Sequence, residues 1–135
     1  MGYIYATIKK KIEEETRKFE CISSRYELPF CLMLIHYDGK SDISQIIKSN
    51  TRCADRFVKI SDHYYALLFF ANRPDSHVKV GNKILFALEK MFPGDKISIG
   101  IACKERIDSD DIVAKAIQNM LTAQKSDFNT IVDDF

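Results

Sequence analysis

Apolar positions change their period several times along the chain. From residue 4 to 24 they recur at near-helical intervals (Ile4, Ile8, Ile12, Phe19, Ile22), with the mixed-charge run KKKIEEETRK between them. That spacing predicts an amphipathic helix whose charges face solvent. After Pro29 the period disappears. FCLMLIHY, residues 30–37, is almost wholly apolar and has the length of a strand buried on both faces. Asp38-Gly39-Lys40-Ser41 predicts a turn, with Ser41 or Asp42 as N-cap of a short helix over 43–50. Two β-prone runs, 56–60 and 64–71, flank Ser61-Asp62-His63 at hairpin spacing. Residues 76–92 return to the helical period, with Val80, Ile84, Leu85, Leu88, Met91 and Phe92 on one stripe and Pro93-Gly94 as the stop. KISIGIAC, 96–103, predicts a further strand. Ser109 caps a last helix that turns Ile112, Val113, Ala116, Met120 and Ala123 inward, and 128–132 closes the pattern as a strand.

After the first helix the order is β-α-β-β-α-β-α-β. Its βαββαβ portion predicts an α+β fold of the ferredoxin-like or palm type, an antiparallel sheet with helices on one face. A lead-in helix precedes it and an extra αβ unit follows, which divides the chain into a helix over 1–27 and a palm over 28–135. The strand from Tyr64 carries apolar residues on both faces (Tyr65, Leu67 and Phe69; Tyr64, Leu68 and Phe70), so it belongs inside the sheet. Many activities share this architecture, and function has to come from particular residues.

Composition narrows the classes. Hydrophobic residues make up 46% and charged ones 29%, and the net charge is +1. A balanced surface lacks the concentrated positive field that nucleic acid or an anionic membrane requires, so neither is an expected partner. No apolar run approaches the ~20 residues that span a bilayer, and the first residues lack signal-peptide order. Cys21, Cys31, Cys53 and Cys103 are scattered, without a CxxC pair, so neither a zinc-knuckle nor a redox motif is supported. They are expected to be reduced core residues of a cytoplasmic protein.

Four stretches carry a family likeness: LPFCLMLIHYD, RCADRFVKISDHYYALLFF, KISIGIAC and AIQNMLTAQKSDFNTIV. In order and spacing they resemble a GGDEF domain, the catalytic module of bacterial diguanylate cyclases, across roughly residues 28–132. The resemblance implies the palm fold, a bacterial cytoplasm and cyclic di-GMP signalling. It also exposes departures. The signature pentapeptide falls on Ser61, Asp62, His63, Tyr64 and Tyr65, so side chains stand where the family's glycines let backbone approach GTP phosphates. The metal-holding acidic position of the signature is His63. The first carboxylate of the strand-one pair is His36, while Asp38 keeps the second. Imidazoles suit Mg²⁺ poorly. Residues 39–51 are less than half the family's usual stretch and omit its guanine-reading Asn and Asp. The phosphate-contacting Lys aligns with Gln124, and the opening DxLTGLxNR motif is absent. By this comparison the chain has no catalytic residues, needs no cofactor and is not an enzyme. The resemblance with these departures implies a catalytically inactive, shortened GGDEF-like domain for regulation or interaction.

One family motif persists. Arg52-Cys53-Ala54-Asp55, followed by Arg56–Ile60 and then Ser61, has the spacing of the family's inhibitory site for cyclic di-GMP. Lys83 falls where the family often adds a second basic contact. Arg can grip a phosphate or guanine edge bidentately while Asp accepts from guanine N–H groups, so Arg52, Asp55 and Lys83 are the ligand-binding candidates. The alternative is a cap with a surface ion pair worth ~0–1 kcal/mol. His36, His63 and Asp38 are metal candidates, and the His36/His63 cleft admits a metal- or nucleotide-dependent enzyme. Otherwise they are polar residues lining a remnant cleft. The first helix either packs on the sheet or offers itself to a protein partner or a second copy.

Overall fold

A strand whose first six residues are all apolar needs cover on both faces and both edges, and that demand organises the molecule. The computed structural model describes residues 2–71, 73, 75–104 and 111–133. Its strand β1 (Phe30–Tyr37) lies in the middle of a five-stranded sheet of order β2-β3-β1-β4-β5. On one side β3 (Tyr64–Phe70) pairs antiparallel with β1, from Phe30 opposite Phe70 to His36 opposite Tyr64. On the other, β4 (Ile97–Lys104) runs antiparallel from Phe30 opposite Lys104 to Tyr37 opposite Ile97. The edges are β2 (Arg56–Lys59), a hairpin partner of β3, and β5 (Thr130–Asp133). The α+β palm is as expected.

Two details differ. Helices cover both faces, not one: α1 (Gly2–Tyr26) and α4 (Ile112–Gln124) on the first, α2 (Ser44–Ser49) and α3 (Ser76–Met91) on the second. An apolar run without alternation cannot leave either face in water. The sheet is also mixed, because α4 crosses over between β4 and β5 and so returns the chain parallel.

Alternate residues of β1 feed two cores. Phe30, Leu32 and Leu34 meet Ile8, Ile12 and Phe19 of α1 and Val113, Ala116, Ile117 and Met120 of α4. Cys31, Met33, Ile35 and Tyr37 meet Ile47 of α2 and Ile84 and Leu88 of α3. The stripe of α1 is therefore used against its own sheet. Glu20 then pairs at 3.0 Å with Lys104, whose side chain is only 9% exposed. Gly100 lets α4 lie directly on β4, since a Cβ there would stand 2.5 Å from the Ala116 carbonyl oxygen and 2.7 Å from Met120 Cα. The cap of α4 is Asp111, which accepts from the Val113 and Ala114 N–H groups. Ser109, the expected cap, lies outside the described residues. Ile22 and Met91, expected to face inward, are exposed. Ser23 is turned in beside Phe19 instead, and Phe92 takes the place against Tyr37, their ring centroids 5.6 Å apart.

The cysteine expectation also changes. Cys31 and Cys103 stand directly opposite each other in the β1–β4 register and form a disulfide, while Cys21 and Cys53 are free and exposed. Their sequence separation of 72 hid the pairing that antiparallel register creates.

Candidate functional site

The signature hairpin lies across the end of β1. Ile60 and Ser61 N–H groups both donate to the Tyr64 carbonyl, closing the turn at 3.0 and 3.1 Å. His63 then takes both main-chain groups of Tyr37: its carbonyl accepts from the Tyr37 N–H at 2.9 Å, and its Nδ1 meets the Tyr37 carbonyl at 2.9 Å. Facing an acceptor, Nδ1 carries the proton, which leaves Nε2 as the basic nitrogen of the neutral ring. The His36 ring lies 6.3 Å from that of His63 and 4.9 Å from Tyr64. Burial lowers the His36 pKa first, the neighbouring His63 next, and Asp38 opposes them. Asp38 itself faces β4, its Oδ1 accepting from the Lys96 N–H at 2.7 Å. Although the two imidazoles are neighbours, no group of three His, Cys, Asp or Glu suited to a metal occurs among the described residues.

Beside the hairpin opens a cleft of about 330 Å³, lined by Lys40, Ser41, Asp42, Lys59, Asp62 and His63 among others. Lys59 holds it together, reaching Asp42 at 2.9 Å and Asp62 at 3.7 Å. Asp42 also accepts from the Ser44 N–H at 2.9 Å, and the Ser44 contact, with Lys59 behind it, keeps this carboxyl well below the usual range. Tyr65 donates to the Asp62 carbonyl from below. Sequence reasoning weighed only positions that align with family motifs, and so missed Lys40, Asp42 and Lys59 as site residues. The available signal was the polar cluster DGKSD directly after a buried strand, where open sheets collect ligands.

The Arg52 turn lies at the opposite end of β3, about 20 Å away by strand rise. It is closed by reciprocal bonds: Asp55 N–H donates to the Arg52 carbonyl at 3.0 Å, and Arg52 N–H donates to Asp55 Oδ2 at 2.8 Å. The Asp55 side chain is thereby buried, at 4% exposure. The Arg52 side chain, 58% exposed, touches Asp55 at 3.8 Å through Nε and donates through Nη2 to the Phe70 carbonyl at 3.2 Å. Arg52 and Asp55 thus lie in contact within one turn. Lys83 stands on the exposed side of α3 and makes no ion pair with Asp55.

No family model matches the chain, and no curated protein matches it significantly. Solved structures do. The GGDEF domain of DgcB from Caulobacter crescentus, in complex with cyclic di-GMP, superposes with TM-score 0.78 at 10% identity, over 93% of this chain and 89% of that one. Diguanylate cyclase SiaD from Pseudomonas aeruginosa, in complex with its activator SiaC, gives 0.80 at 16% identity, over 93% of this chain and 58% of that one. The active GGEEF domain of a diguanylate cyclase from Vibrio cholerae gives 0.69 at 11% identity, over 84% and 87%. The chain has the fold of a GGDEF domain.

These matches correct one expectation, that the chain is not an enzyme. Its fold neighbours are diguanylate cyclase domains, one of them active. Carboxylates and cations line the cleft beside the hairpin. No described helix is long and apolar enough to cross a membrane.

Proposed function

We propose that this chain, having the GGDEF fold, serves cyclic di-GMP signalling as a regulatory domain that receives the dinucleotide at the Arg52 turn. The observation that carries the reading is the state of Arg52. Its side chain is more than half exposed, yet the Asp55 carboxylate and the Phe70 carbonyl orient its guanidinium. A planar donor fork held from behind is ready to take a phosphate or a guanine edge without first losing side-chain freedom. Asp55 acts by orienting Arg52, and Lys83 adds a mobile positive charge from α3. A structural neighbour bound to cyclic di-GMP supports the choice of ligand.

Isothermal titration with cyclic di-GMP tests this. Binding is expected to weaken about 10- to 100-fold in Arg52→Ala, the loss of one charge-assisted contact, and less in Lys83→Ala. Unchanged affinity in Arg52→Ala would refute the site. The cleft at the hairpin favours a second reading, a nucleotide-dependent enzyme in which Lys59 and Lys40 meet phosphate and His63 Nε2 moves a proton. Metal-dependent GTP turnover that disappears in His63→Ala would establish it, and absence of turnover would dismiss it.

A further inference from the structure

The Cys31–Cys103 bridge occupies a particular place in the sheet. Cys31 is directly opposite Phe69 on one side and Cys103 on the other. Phe70, the next residue of β3, supplies the carbonyl that anchors Arg52, and the Ala71 N–H donates back to the Pro29 carbonyl at 2.9 Å. Bridge and anchor are therefore one residue apart across hydrogen-bonded strands. The bridge is also asymmetric in access, with Cys31 at 0% exposure and Cys103 only partly buried.

We propose that Cys31–Cys103 is a reversible thiol–disulfide switch whose state sets the firmness of the sheet end that anchors Arg52. The reductant is a protein or small dithiol. Its thiolate attacks Cys103 Sγ, the reachable sulfur. The bridge breaks, and Cys31 leaves as a thiolate that takes a proton. The reductant's second thiol then displaces Cys103, so two electrons pass to the protein and the dithiol becomes a disulfide. Two thiols need full van der Waals separation, whereas bonded sulfurs sit well inside it. Reduction must accordingly part side chains in a close-packed layer beside Phe69 and Ala71. The consequence for Arg52 as a ligand contact rests on the function proposed above; the switch itself does not.

The test uses the whole chain, alkylated under denaturing conditions without reductant. Two reactive thiols, Cys21 and Cys53, are expected, and four would overturn the proposal. Hydrogen exchange is then compared before and after treatment with tris(2-carboxyethyl)phosphine. Amides of Phe69–Ala71 should exchange about 10-fold faster in the reduced chain while α2 stays unchanged. Equal exchange in both states would overturn it. The double variant Cys31→Ala/Cys103→Ala should show the faster exchange with or without reductant, and a response to reductant in that variant would also overturn it. Cyclic di-GMP affinity, measured in both states, should fall about 10-fold on reduction. A chain that binds in neither state counts against the ligand reading alone, because thiol count and exchange still decide the switch.

Discussion

Replacing Gly100 with alanine puts one methyl group between β4 and α4, and the structure gives the scale of the damage. The new Cβ would stand 2.5 Å from the Ala116 carbonyl oxygen and 2.7 Å from Met120 Cα, where ordinary contact begins at 3.4 Å. The obstructing atoms are backbone, so no rotamer change relieves them. The helix has to retreat by close to 1 Å, and a gap of about 0.5–1 Å forfeits a quarter to a half of each dispersion contact across it. Ile112, Val113, Ile117 and Met120 are the large side chains that lose those contacts. At ~2 kcal/mol of burial each, a quarter lost from all four is about 2 kcal/mol, and overpacking strain raises it toward 3. The relief of removing glycine from a strand offsets about 0.5–1 kcal/mol. A net loss of ~2 kcal/mol remains, which should lower the urea midpoint by about 1 M. The assay is equilibrium urea unfolding followed by far-ultraviolet circular dichroism. A midpoint within about 0.3 M of the parent would mean that α4 does not rest on Gly100, and the packing argument would fail.

Two further outcomes follow from the ionisable groups. Glu20→Gln leaves the buried ammonium of Lys104 without its counter-ion and should cost about 1–3 kcal/mol, whereas Lys104→Met should be nearly neutral; equal losses in urea unfolding would refute the pairing argument. His36 has its pKa lowered from 6.5 by burial and by His63. The unfolded chain therefore binds the proton more readily, so the stability this ring contributes is present above pH 6.5 and is lost as pH falls through the lower folded value. His36→Gln should flatten the difference in urea midpoint between about pH 7.5 and about pH 5.5, and an unaltered slope would show that His36 is not the group responsible.

Periodicity revealed most of the architecture and little of the site. FCLMLIHY announced a buried strand because only His36, near its end, interrupts the apolar run, and the structure places it at residues 30–37, the predicted limits. All five inward positions expected of α4 are buried, since its stripe is uninterrupted and lies directly on β4. Ile22 and Met91 failed because a stripe specifies an angle around the helix but not where the facing surface stops. The second covered face was implicit in the unbroken apolarity of β1. The disulfide was not legible, because it depends on the register of strands far apart in sequence. At the site, aligned positions located His36, His63, Arg52 and Asp55, but Asp42 and Lys59 meet only after the loop folds back on the hairpin. The burial of Asp55 inside its own turn was likewise invisible, because a motif records residue types and not where their lone pairs go.

The central position of β1 has a consequence for biosynthesis. Its two neighbours, β3 and β4, are both translated after it, and β4 ends only at Lys104. A nascent chain therefore carries an eight-residue strand with two unpaired edges until β3 is made, and with one until β4 is. At ~5–20 residues per second that interval lasts several seconds, long enough for a holdase chaperone to engage or for two growing chains to pair by their edges. α1, already synthesised, can shield one face of the strand during the wait, through Ile8, Ile12 and Phe19. Its place ahead of the sheet gives the helix a protective part to play before the domain has any site at all.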